Sequence, residues 1–86
     1  MKHPVTVSGF GGTSAELAEQ IGNLQYDTLA ELLDLLAQKV AKDADKDQGR
    51  GRVKLAQELS NCSNHLAVAA HHISKAWQIC EPYVEP

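Results

Sequence analysis

Residues 53–80 read VKLAQELSNCSNHLAVAAHHISKAWQIC. Leu55, Leu59, Cys62, Leu66, Ala69, Ile73, Trp77 and Cys80 recur there in steps of four and three, the repeat that keeps one apolar stripe on one side of an α-helix. The spacing predicts a single helix over about residues 52–81. At a rise of ~1.5 Å per residue it is about 45 Å long, and Glu81-Pro82 stops it by withdrawing a backbone donor. Residues 82–86 follow as a tail.

Working back from this helix, residues 41–52 read AKDADKDQGRGR, with alternating charges and two glycines that supply turn freedom. A hairpin loop is expected over residues 44–50. Before it, Leu29, Leu33, Leu36 and Val40 share one stripe and predict a second helix over 28–43. Leu17, Ile21 and Leu24 are also spaced helically, but at ~100° per residue they centre about 100° from that stripe. Gly22-Asn23 interrupts the pattern, and Asp27 with Thr28-x-x-Glu31 offers a second start signal. A break or kink is therefore expected, with a short helix over 14–22 begun by the capping box Thr13-x-x-Glu16. Residues 1–12, with Pro4, a Val5-Thr6-Val7 alternation and the run Ser8-Gly9-Phe10-Gly11-Gly12, read as a flexible leader containing a candidate edge strand.

With 86 residues the chain has room for one domain, here the helical segment 13–81. Its apolar fraction is 43% but includes only one Phe, one Trp and two Tyr, so the core must come from Leu, Ile, Val and Ala. Two helices enclose too little volume for a dry core, and the stripe on 55–80 is longer than residues 28–43 can cover. The common closed solution is a two-fold pairing of hairpins. The expected architecture is all-α: an antiparallel helical hairpin with a short or kinked N-terminal helix, dimerising into a four-helix bundle. Leu55, Leu59, Cys62, Leu66, Ile73 and Trp77 are the expected interface, with Trp as anchor.

Chemistry has few candidates. Glu58, Cys62, His65 and His72 offer oxygen, sulfur and nitrogen donors on neighbouring turns, a candidate metal edge, although no Glu-x-x-His pair of the di-metal bundles occurs. The segment His72-Ile73-Ser74-Lys75-Ala76 resembles the His-x-x-Lys-Gly phosphoacceptor motif of histidine phosphotransfer domains, with His72 and Lys75 in the matching places. The resemblance implies a phosphoryl-accepting imidazole, but Ala76 replaces the glycine and no helix follows residue 82. The glycine run 8–14 precedes a helix, where phosphate can bind, yet it lacks a Walker lysine and a full GxGxxG. Cys62 and Cys80 lie five turns apart, too far to bridge within one helix, and read as reduced thiols.

Arg50, Arg52 and Lys54 are interleaved with acids and lack aromatic neighbours, and the net charge is -3, so nucleic acid is an unlikely partner. No run of 18 apolar residues and no signal-peptide pattern is present, which points to a cytoplasmic chain without a membrane span. The expected function is a non-catalytic, homodimeric protein–protein interaction or regulatory module without a cofactor. The alternatives are a metal-binding or phosphoryl-accepting bundle at the His65/His72 edge and, third, a nucleic-acid-associated regulator.

Overall fold

A computed structural model describes residues 3–84. Three α-helices follow in order, α1 (Ser14–Gly22), α2 (Tyr26–Gly49) and α3 (Val53–Cys80), and a 3₁₀ turn over Glu81–Tyr83 closes the chain. No strand occurs among the described residues; in place of the expected edge strand Val5 and Thr6 form a bend, Val7 is irregular, and a turn follows at Ser8-Gly9. The Phe10 amide donates to the Val7 carbonyl at 3.2 Å. This turn passes through Gly9, whose φ of 84° suits glycine.

The α1 start is as its sequence dictates. The Thr13 hydroxyl accepts the Glu16 amide at 3.2 Å, and the Glu16 carboxylate accepts the Thr13 amide at 3.1 Å. Helix α2 starts at Tyr26, two residues before the expected position, and Thr28 does not cap it. Asp27 instead accepts from the Thr28 amide at 2.8 Å and from the Gln25 side chain at 2.9 Å.

Residues 44–49, expected as loop, continue α2. Their charges are compatible with helix: Lys39 donates to Asp43 one turn away at 2.6 Å, and Ala44 is buried against the neighbouring helix. The turn is confined to Arg50, Gly51 and Arg52. Gly51 adopts φ 77°, its amide donates to the Gln48 carbonyl at 3.1 Å, and the Arg52 amide donates to the Asp47 carbonyl at 2.8 Å. These two bonds are the Schellman pattern, which requires a left-handed residue just past the helix end. The Arg52 guanidinium also meets the Asp47 carboxylate at 3.3 Å, tying the turn from outside.

The contact between α2 and α3 uses small residues rather than the large stripes. Ala30, Ala37 and Ala44 on α2 and Ala56 and Ala70 on α3 are the buried hydrophobic residues, and nothing larger than alanine is buried among the described residues. Ser63 stands midway between Ala56 and Ala70, and its hydroxyl donates to the Ala37 carbonyl at 2.7 Å. Both rows repeat every seven residues, which returns a helix to within about 20° of its starting direction. Antiparallel pairing from the Ser63–Ala37 contact sets Ala30 opposite Ala70 and Ala44 opposite Ala56. Leucines at these positions would hold the axes apart; alanine and serine let the two backbones approach.

Helix α1 does not pack along either long helix. The chain is accordingly a thin slab, 50 × 30 × 15 Å, with a radius of gyration of 15.6 Å. A compact chain of this length has a radius near 12 Å.

Candidate functional site

The seam divides each long helix into two flanks. On α2, counting ~100° per residue from Ala37, Leu29, Leu33, Leu36 and Val40 fall on one flank and Asp27, Glu31, Asp34 and Gln38 on the other. On α3, counting from Ser63, Leu55, Leu59, Cys62, Leu66, Ile73 and Trp77 fall on the flank of the same rotational sense. Asn64, His71 and Ser74 fall on the opposite one. Reversing a helix also reverses its sense of rotation, so matching flanks of an antiparallel pair emerge on the same side. The polar flanks do meet: Asp27, Glu31 and Asp34 line one shallow groove with Ala67, His71 and Ser74. The two apolar flanks therefore form a continuous face on the other side of the slab.

That face is only half covered within the chain. Leu29, Leu33, Val40, Leu59, Leu66 and Ile73 are half-buried beside the seam, whereas Leu36 and Leu55 are 44% and 47% exposed and Cys62 is exposed. Trp77 is half-buried at the open end of the hairpin, beside the α1–α2 linker residues 22–26 and Val84. The accessible surface of the chain is 6964 Å². A folded monomer of this mass exposes about 5,000 Å², so some 2,000 Å² is in excess. Part of this belongs to the N-terminal segment, where Val5 is 96% exposed, and part to the elongated shape. The expected interface residues on α3 thus lie together on one face. The contribution of Leu29, Leu33, Leu36 and Val40 was absent from the expected interface, although their shared wheel position is its signal.

The chemical candidates are dispersed. Glu58, Cys62, His65 and His72 are all exposed along the outer surface of α3. Among the described residues no group of three or more His, Cys, Asp or Glu converges on a common point. His72 and Lys75, the pair of the phosphoacceptor resemblance, are exposed on α3, and the His72 ring stands edge-on to His71 at 5.9 Å. Both cysteines are free. At the hairpin tip, Arg52 is engaged by Asp47, while Arg50 and Lys54 are exposed.

Two carboxylates have lowered pKa values. The Thr13 amide and then its hydroxyl, donating to Glu16, hold that carboxyl below its ordinary 4.5. Because Glu16 occupies the first turn of α1, the glycine-rich approach to this helix already faces a carboxylate. Asp43 is held below 3.8 chiefly by the hydrogen bond from Lys39, with Lys46 and His3 adding to it.

Family models, curated proteins and solved structures give no significant match to this chain. No helix among the described residues is long and apolar enough to cross a membrane.

Proposed function

We propose that this chain is a non-catalytic helical module that acts by protein–protein association, and that its first partner is a second copy of itself. The observation that supports this reading is the apolar face: nine large aliphatic and aromatic side chains, with Cys62 among them, lie on one side of a slab in which alanines are the buried residues among those described. A hairpin held by an alanine seam gains little from burial, because alanine has little apolar area to remove from water. Closing two such faces on each other places their leucines in a common interior and makes a four-helix bundle. The excess surface of about 2,000 Å², shared between this face and the N-terminal segment, leaves room for the ~800 Å² per partner that a standard stable interface removes.

Leu66 is central to the face. Leu66→Asp is expected to abolish the dimer in native mass spectrometry and to lower helicity in far-ultraviolet circular dichroism. A variant that retains the native mass and helicity of the parent would show that the face has no such role.

A further inference from the structure

We propose that the second copy docks head to tail. The two-fold axis crosses the helices at the height of Leu66, so that α3 lies on the partner's α3, α2 lies on the partner's α2, and the tips point in opposite directions. This rests on the self-association reading above and specifies its geometry.

The two stripes differ in extent. On α3 the stripe runs from Leu55 to Trp77, about 33 Å; on α2 it runs from Leu29 to Val40, about 16 Å. Face-to-face hairpins have two symmetric arrangements. With tips together, each α3 covers the partner's α2 at equal height, so the long stripe meets the short one. Leu55 and Leu59 then oppose the charged end of α2, Lys42–Asp47, and Trp77 opposes the α1–α2 linker. With tips opposed, long meets long and short meets short.

The stripes also share a midpoint. The α3 stripe is centred on Leu66 and the α2 stripe between Asp34 and Leu35. Antiparallel pairing from the Ser63–Ala37 contact puts Asp34 opposite Leu66. One axis at this height therefore maps both stripes onto themselves. Leu55 meets Trp77, Leu59 meets Ile73, Leu66 meets its own copy, Leu29 meets Val40 and Leu33 meets Leu36.

Charge favours the same arrangement. On the tip side of this axis the hairpin has Lys39, Lys42, Lys46, Arg50, Arg52 and Lys54 against Asp43, Asp45, Asp47 and Glu58, a net of +2. On the open side it has Lys75 alone against Asp27, Glu31, Asp34 and Glu81, a net of -3. Head-to-tail docking sets each basic tip beside an acidic open end, and tips-together docking sets like beside like. These charges are exposed and screened by salt, so they bias the orientation while the stripes set it.

Two measurements test the orientation. In a Cys62→Ser/Cys80→Ser background with Gln48→Cys, a nitroxide at each tip is read by double electron–electron resonance. Head-to-tail docking places the labels about 40 Å apart along the helices, and tips-together docking leaves roughly one or two helix spacings, under about 25 Å. Because the serine background alters the face, the unsubstituted protein is also cross-linked through lysine in a mixture of natural-abundance and nitrogen-15 chains. Lys54 and Lys75 are about 31 Å apart on one helix but within about 5 Å in height on stacked helices of the head-to-tail dimer, so an interchain Lys54–Lys75 link is expected with a reagent long enough to bridge two stacked helices. Lys46–Lys46 and Lys54–Lys54 links in its place, or a short tip separation, overturn the head-to-tail geometry and leave self-association standing. An unsubstituted chain that is monomeric removes self-association itself, and the geometry with it.

Discussion

Replacing Ala37 by leucine inserts three carbons at the middle of the seam. Ala37 is 4% exposed, and its carbonyl accepts the Ser63 hydroxyl at 2.7 Å, so the added side chain enters where the two backbones come closest. Overpacking a closed contact costs about 1–3 kcal/mol. Separating the helices also breaks the Ser63 bond, worth about 0.5–1.5 kcal/mol. The expected loss is about 2–4 kcal/mol. With an m-value near 1–2 kcal/mol/M for a small domain, the urea midpoint followed by circular dichroism should fall by about 1–3 M. Chain concentration must be held fixed, since association couples to unfolding. Ser63→Ala is the companion variant. It keeps the seam narrow, loses one hydrogen bond whose acceptor retains its helical partner, and gains helix propensity, so it should remain within about 1 kcal/mol of the parent. An Ala37→Leu midpoint equal to the parent's, or Ser63→Ala as damaging as Ala37→Leu, would refute a seam that works by closeness.

Further outcomes follow from the caps and the turn. Glu16 has a lowered pKa, so its contribution to α1 is present above the ordinary 4.5 and is lost as pH falls through the lowered value. Carbon chemical shifts of Ser14–Gly22 should keep their helical character above the ordinary 4.5 and lose it only as pH falls below that value. Fraying that begins at neutral pH would contradict the capping role. Gly51→Ala should destabilise by about 1–2 kcal/mol because φ is positive there. Gly49→Ala, two residues earlier within α2 and with open space around its added carbon, should stabilise by up to about 1 kcal/mol. Equal effects at the two glycines in urea titrations would contradict the turn.

The helical class and the hairpin were legible because α3 repeats its large residues over 28 positions without a break. The Thr13–Glu16 cap was legible because both partners lie within four residues. The seam was harder to see, although Ala30, Ala37 and Ala44, and Ala56, Ser63 and Ala70, stand at steps of seven in plain view. Alanine weighs little in a hydrophobic pattern and serine counts as polar, so the large stripes stand out in the sequence and the residues that join α2 to α3 do not. The large stripes lie on the flank of that seam. The loop was misplaced for a related reason: Asp43, Asp45, Lys46 and Asp47 resemble loop composition, but Ala44 is held in the seam and keeps α2 helical to Gly49. Tertiary contact overrode local composition there.

The candidate site was legible on α3 and not on α2. Locating the face required knowing which side of each helix meets the other, and that depends on the register fixed by Ser63 and Ala37. Once this register is set, four further aliphatic residues join the stripe and the polar groove is assigned to the opposite side.

The most direct measurement is the native mass of the unsubstituted, tag-free protein across a dilution series, beside that of Leu66→Asp. The face described above requires twice the chain mass at micromolar concentration for the parent and a single chain for the variant. A parent that is monomeric throughout, with its helicity intact, would contradict an apolar face closed by a second copy.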